Sequence, residues 1–498
     1  MNVNPITRLD YPDPDVIRVE DTYYMVSTTM HFMPGCEILQ SFDLVHWEHA
    51  TYVYETLDHT DAQQLKSGQN IYGQGMWAAS LRYHEGRFYI CFVANDTRKT
   101  YLYTSEKIDG PWKKQLIEGF YHDGSLLFDE DGRNYIVYGN DEIWITELNE
   151  DLTAPKKDGL HRLLVSDHKN PKLGYEGSHI QKINGYYYIF LIHSLRDRWM
   201  RTEACFYSDS LEGEFTGGDV LCDDRGYCGQ GVAQGGIVDT PDGKWYAMLF
   251  QDSGAVGRLP ILLPVTWKAH FPVFGQNGHV PEEIEVHSTR PGYIYQPLVG
   301  SDDFCNGLLP RWQFNHDPDP RYYHLDALQG TYTITTREVC TELTQAVNTL
   351  TQRMSYPSCA AEVTVDASAL KEGDVAGLCA FQGCYTAVGI TKHHGKYEVL
   401  MLDKKEDGIL DITEGTVVES HQMDFRLEAD FCNMKDEARC YYRVNKGDWL
   451  PIGTVHKLYF KLDHFTGCRF GLFCYAAEET GGSACFRDFK YYDVDEIS

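Results

Sequence analysis

A single hairpin pattern recurs five times in the first half of the chain. Each copy has a short apolar strand, a turn containing Gly, Asp or Asn, and a second strand that opens with an aromatic-Tyr pair. The copies read DPDVIRVEDTYYMVST from Asp13, AASLRYHEGRFYICFVA from Ala78, DGSLLFDEDGRNYIVYG from Asp123, EGSHIQKINGYYYIFLI from Glu176 and QGGIVDTPDGKWYAMLF from Gln234. In the third copy Asn134 replaces the aromatic residue before the Tyr. β-prone residues on both sides of a glycine or Asx turn specify antiparallel hairpins. The anchoring tyrosines, Tyr24, Tyr89, Tyr135, Tyr188 and Tyr246, lie 46 to 65 residues apart. A hairpin fills less than half of that spacing, so each unit has room for two further strands, with echoes such as Ser41–Trp47 and Ser105–Trp112. Four-stranded units repeated five times predict a five-bladed β-propeller, whose radial closure leaves few exposed edges. A row of unrelated hairpins is the plainer alternative.

Counting back from each anchor locates a site. Twelve residues before Tyr89, Tyr135, Tyr188 and Tyr246 stand Trp77, Asp123, Glu176 and Gln234, and eleven before Tyr24 stands Asp13. Equivalent positions at the start of the first strand of each blade line the central channel, so these side chains should converge at one mouth of it. Three of the five are carboxylic acids, and crowding raises the pKa of at least one of them. Acid and base pushed apart in this way are what cleavage of a glycosidic bond needs. An inverting enzyme holds its two carboxyls roughly 6.5–9.5 Å apart, with room for a water between them. Asp13 and Glu176, from the non-adjacent first and fourth blades, are the pair that could stand across the channel at that distance. Trp77 would offer a ring face to a sugar. Each residue also has a bland reading: Asp13 and Asp123 as turn formers, Glu176 as a solvated loop acid, Trp77 as core, Gln234 as a backbone partner. Asp15 reads as structural.

The formal net charge of −29 repels phosphate backbones and disfavours acidic polymers, so a small neutral substrate fits best and nucleic acid does not. No run of about 18 apolar residues is present to span a bilayer, and no signal peptide is legible at Met1–Pro5. Fifteen cysteines without CxxC pairs read as buried free thiols in a reducing cytoplasm rather than a disulfide framework. An enzyme held there acts on imported oligosaccharides. Oligomeric state is not legible.

At the residues picked out above, the chain resembles glycoside hydrolase family 43, the β-xylosidases and α-L-arabinofuranosidases. The carriers are Tyr11–Asp15 with Tyr23-Tyr24, His122–Ser125, Glu176–His179 with Tyr186–Tyr188, Met76–Ser80 (Ala79 standing where the family has Pro) and Val256–Arg258. The resemblance implies Asp13 as base, Asp123 as the group that tunes and positions the acid, Glu176 as acid, and Arg258 as a sugar contact in the cleaved subsite. Phe32, in the loop 28–34, is taken as a pocket wall. The family often has a His at the fifth-blade position that helps to hold a structural calcium. Gln234 stands there instead, so a channel cation stays open, and catalysis itself requires no cofactor.

The repeat stops near residue 290. The expected boundaries are 1–295 for the propeller and 302–498 for a second domain. Alternation in Ala361–Asp366 puts Ala361, Val363 and Val365 on one face, and Gly471 suggests a bulge. Strands of this kind predict a two-sheet sandwich, and Asp303–Asn315 and Gly373–Leu378 resemble the concanavalin-like domain appended to family 43 xylosidases. In those relatives it closes the pocket, which implies exo action on pentose-terminated hemicellulose fragments; a carbohydrate-binding module is the alternative. Two other functions compete. A lectin-like propeller would repeat the same residue in each blade, whereas these positions differ. A phosphorylase needs a basic phosphate site, whereas this channel mouth is acidic.

Overall fold

A computed structural model describes residues 3–493. Five antiparallel four-stranded sheets follow one another along the chain, each with its strands in sequence order. Blade 1 comprises Asp15–Val19, Thr22–Ser27, Gly35–Ser41 and Glu48–Tyr54; blade 2, Met76–His84, Arg87–Ala94, Lys99–Ser105 and Lys113–Ile117. Blade 3 comprises Ser125–Phe128, Asn134–Asn140, Glu142–Leu148 and His161–Ser166; blade 4, Glu176–Ile183, Tyr186–Ser194, Arg201–Ser208 and Thr216–Leu221. Blade 5 comprises Ala233–Asp239, Trp245–Asp252, Arg258–Lys268 and Phe271–Phe274. The two sequence echoes are the turns between third and fourth strands of blades 1 and 2. Alternating apolar residues on both faces of each sheet fill the seams between blades, as in the cluster of Tyr188, Phe190, Ile237, Leu249 and Ile261 between blades 4 and 5.

The N-terminal segment closes the ring. The Asn4 side chain exchanges two hydrogen bonds with the Leu262 backbone, at 2.7 and 2.8 Å, and the Ile6 and Tyr11 amides donate to Pro260 and Arg258 carbonyls. Along the channel a polar girdle ties the blades together. Arg82 of blade 2 donates to the Asp15 carboxylate at 2.8 Å, to Ser125 Oγ at 2.7 Å and to the Leu126 carbonyl at 2.8 Å. His179 Nδ1 of blade 4 lies 3.0 Å from the other Asp15 oxygen. Burial opposes ionisation of Asp15, but the Arg82 and His179 charges and hydrogen bonds outweigh it and hold the carboxyl below its ordinary range. Asp15 is thus a structural link between blades.

The C-terminal region is a two-sheet sandwich of eight and seven antiparallel strands. Val363, Val365, Leu378, Phe425, Leu472 and Phe486 are among the residues that fill its core. Gly471 does not mark a bulge: the strand Arg469–Tyr475 pairs in continuous register on both sides. A Cβ there would lie 2.7 Å from the Cys379 sulfur, so the position is small because a thiol covers it. All 15 cysteines are free thiols. Most are buried, but Cys222, Cys228, Cys305 and Cys432 are exposed, which corrects the expectation that they all pack inside.

The two domains share a sheet. The strand Phe32–Met33, from the loop between the second and third strands of blade 1, pairs with Gln313–Asn315 and becomes the edge of the eight-stranded sheet. Segment 289–300 is pinned to blade 1 through Thr289 on Phe42, Arg290 on Asp21 and Gln296 on Glu48. It is a strap rather than a flexible linker.

Candidate active site

The five matched positions meet at one end of the channel because the backbone is bent there in every blade. Asp13, Asp123 and Gln234 adopt left-handed φ values of 52°, 47° and 61°, a conformation uncommon for non-glycine residues that turns the chain sharply at the strand entry. In blades 2, 4 and 5 the first strand shifts register at Met76/Ala79, Glu176/His179 and Ala233/Gly236. Such irregularities turn a side chain off the sheet and towards the channel.

Asp13 is nearly buried. Its Oδ2 accepts from Thr28 Oγ1 at 2.7 Å and its Oδ1 from Arg258 Nη1 at 3.0 Å. Asp123 accepts the Gly177 amide at 3.0 Å. Glu176 accepts from Asn140 Nδ2 at 2.7 Å. His122 Nε2 sits between the last two carboxyls, 3.4 Å from Asp123 and 3.6 Å from Glu176. Burial, helped by the Glu176 and Asp13 charges and opposed by His122, pushes Asp123 from 3.8 to about 6. Burial lowers the His122 pKa, but the Asp123 and Glu176 carboxyls outweigh it and lift the imidazole to about 9. The crowded carboxyl with the raised pKa is therefore Asp123, and at neutral pH a cation lies beside it.

Gly177 is required for this arrangement. Its φ is +65°, and a Cβ there would lie 2.7 Å from the Gln234 side chain. A side chain at this position would displace the amide that Asp123 accepts.

Glu176, His122, Trp77 and Asn140 line a cavity of about 740 Å³. The sandwich supplies part of its wall through Met434, Asp436 and the segment 459–465. The Phe465 ring packs 5.6 Å from that of Trp77 and 4.3 Å from the Arg258 guanidinium, so a side chain of the sandwich is wedged between Trp77 and the arginine that pairs with Asp13. Phe32 does not line this cavity. It is fully buried among Phe381, Leu402 and Phe473 of the sandwich, with the Arg469 guanidinium 3.5 Å from its ring, because its strand has joined the other domain's sheet.

A channel calcium finds a poor donor set. Gln234 is packed on Gly177, and its backbone amide donates to the buried Glu203 carboxyl, whose pKa burial pushes well above the ordinary value. Asp15 is already neutralised by Arg82 and His179. Calcium takes six to eight hard oxygens, several of them anionic, and the girdle supplies its own cation instead. His122, Asp123 and Glu176 present ligand atoms within 4.8 Å of one another.

His122, Asn140, Thr28 and Phe465 were not singled out by the sequence reading. A signal existed for part of this set. Residues four to six places after each anchoring Tyr are Thr28, Asn95, Asn140, Ser194 and Asp252, and Asn95, Asn140 and Asp252 line the cavity. In a hairpin the end of the second strand lies beside the start of the first, so counting forward finds the same mouth as counting back.

The Asp123 value sets an expected pH dependence. If Asp123 works as an anion beside Glu176, kcat/KM should rise as pH rises through about 6. His122→Phe removes the charge that favours ionised Asp123, and the acidic limb should move to higher pH in a pH–rate profile. An unmoved limb would show that His122 carries no charge there.

Residues 3–272 match the family described as Glycosyl hydrolases family 43, and residues 301–492 match the Beta xylosidase C-terminal Concanavalin A-like domain. A beta-xylosidase of Formosa agariphila is 26% identical over 555 residues, covering 99% of this chain and 89% of that protein. A non-reducing end alpha-L-arabinofuranosidase of Bacteroides ovatus is 24% identical over 82% of this chain and 79% of its own length. The solved structure of a bifunctional GH43-CE protein of Bacteroides eggerthii superimposes with a TM-score of 0.92 at 42% identity; it covers 98% of this chain, which spans 63% of that longer one.

Proposed function

This chain belongs to glycosyl hydrolases family 43 and is a glycosidase, and we propose that it releases terminal pentosyl units, α-L-arabinofuranosyl, β-D-xylosyl or both, from hemicellulose-derived oligosaccharides with inversion. The observation that carries this reading is the division of labour among the three carboxyls. Asp13, fixed by Thr28 and Arg258, takes a proton from the attacking water. Glu176, held by Asn140 on the cavity wall, delivers one to the leaving oxygen. Asp123 meets the Gly177 amide next to the acid and tunes it. The Trp77 ring, packed beside Phe465 on the cavity wall, offers a face that suits the C–H surface of a sugar. Closure of the cavity by the sandwich favours a chain end and hence exo action. Relatives named for both xylosidase and arabinofuranosidase activity support either pentose. The free thiols support a reducing compartment such as the cytoplasm.

Initial rates on 4-nitrophenyl β-D-xylopyranoside and α-L-arabinofuranoside test the substrate class. Proton NMR of the first-formed anomer tests the stereochemistry. Activity on neither pentoside, or a product that retains configuration, would overturn the proposal and favour a sugar-binding propeller or a double-displacement enzyme respectively.

A further inference from the structure

We infer that Glu203 is a positioning residue for the acid side of the reaction. By accepting the Gln234 amide it fixes, through Gln234 and Gly177, the hydrogen bond that Asp123 makes beside Glu176. The inference rests on the proposed roles of the three carboxyls and deepens them. The relay begins at a donor that the sheet cannot satisfy. The blade 5 ladder pairs Ala233 with Phe250 and resumes with Gly236 on Met248, so Gln234 and Gly235 are bulged out of it. A bulged residue loses its partner across the ladder, and Gln234 is buried away from water. Glu203, on the third strand of blade 4, supplies the missing acceptor: its Oε2 takes the Gln234 amide at 2.7 Å.

Two steps carry that contact to the site. With its amide held and its φ at 61°, Gln234 lays its side chain against Gly177, where a Cβ would stand 2.7 Å from Gln234 Cδ. Gly177 then donates its own amide to Asp123 at 3.0 Å. Little in this chain of contacts is free to shift. A Cβ on Gly235 would come within 1.8 Å of the Met248 carbonyl, so the bulge is pressed onto the strand behind it. Within blade 4, Glu176 pairs with Ile192 and Ile192 with Glu203, which places Glu203 in the same cross-strand row as the acid. A carboxyl here is expensive. Glu203 is fully buried, burial pushes its pKa well above the ordinary value, and its Oε1 has no hydrogen-bond partner. An apolar side chain would fill the space without that penalty, but it would leave the Gln234 amide unpaired.

Glu203→Met keeps the bulk of the side chain without an acceptor, and Glu203→Gln restores an acceptor oxygen at the same reach. A purely structural role predicts a lower Tm and an equal loss of rate on every substrate. The positioning role predicts a loss that follows the leaving group. Glu203→Met should lower kcat/KM on a xylo- or arabino-disaccharide about tenfold, part of the 10²–10⁴ that a positioned acid supplies, and change it far less on the 4-nitrophenyl pentoside. Glu203→Gln should recover most of the disaccharide rate. Gln234→Ala keeps the amide on Glu203 but removes the side chain from Gly177, so it should repeat the leaving-group-dependent loss even where Glu203→Met folds poorly. Crystal structures of the variants test the relay without any substrate. The Gly177 amide should move out of hydrogen-bonding range of Asp123, beyond roughly 3.2 Å, in Glu203→Met and Gln234→Ala but not in Glu203→Gln. An unmoved amide, a loss equal for both substrates, or a Glu203→Gln as impaired as Glu203→Met would overturn the inference. A wild type inactive on every pentoside would overturn the reading beneath it, and the crystal structures would still decide the relay.

Discussion

Asp13→Asn is expected to lower kcat by about 10²–10⁴-fold, the usual worth of a positioned acid or base, and to do so equally for every leaving group. Asn keeps the shape of the side chain: its Oδ1 can still accept from Arg258 and its Nδ2 can donate to the Thr28 hydroxyl, so the pocket stays formed. What is lost is the group that takes the proton from the attacking water, and every leaving group needs that attack in the same single displacement. Glu176→Gln should behave differently. Its loss should reach the same range on oligosaccharides, whose alkoxide leaving group needs a proton, and should be much smaller on 4-nitrophenyl glycosides, whose phenolate leaves without one. Rates of both variants on an aryl pentoside and on a disaccharide decide the matter. A Glu176→Gln loss that does not depend on the leaving group would remove Glu176 from the role of acid. A leaving-group-dependent loss in Asp13→Asn would mean that base and acid have been exchanged.

The second large effect is on stability, at the junction of the two domains. Arg353 of the sandwich pairs with Glu37 of blade 1 at 2.8 Å, with both side chains under 5% exposed. It also donates to the Asp10 carbonyl at 2.9 Å and lies 4.0 Å over the Tyr11 ring. Arg353→Met should destabilise the protein by up to about 3–5 kcal/mol, because it leaves the buried Glu37 carboxylate with His49, 3.0 Å away, in place of the guanidinium. The double variant Arg353→Met/Glu37→Gln should recover much of that loss, since replacing a buried pair costs far less than breaking one. Calorimetric Tm values for the three proteins test this, and a double variant as unstable as the single one would contradict it. Activity should fall as well. Asp10 accepts the Arg258 amide and the Gly467 amide, each at 2.7 Å, so the contact that anchors the sandwich also positions the arginine on Asp13. By the same argument the propeller without residues 302–498 should lose the Phe465 wall and the Arg353 and Gly467 contacts that hold Asp10.

The carboxyl constellation was legible in the sequence because blade geometry is periodic. Equal counts from Tyr24, Tyr89, Tyr135, Tyr188 and Tyr246 give equal places in equivalent strands, and local hairpin chemistry fixes those strands. Alternation likewise announced the sandwich strand that contains Ala361, Val363 and Val365. The residues that tertiary structure alone decided have no such register. Phe465 reaches Trp77 and Arg258 across a domain boundary, and no spacing links them. Phe32 reads as a pocket wall in sequence order, yet its strand gains backbone hydrogen bonds by joining Gln313–Asn315 and is drawn into the other domain. Gln234 stands where a cation ligand was open, but Arg82 had already brought a positive charge to the channel. The five-bladed ring and its three acids follow from short-range, repeated interactions. The shape of the pocket that selects a sugar follows from contacts between segments hundreds of residues apart, and only packing of the whole chain brings those together.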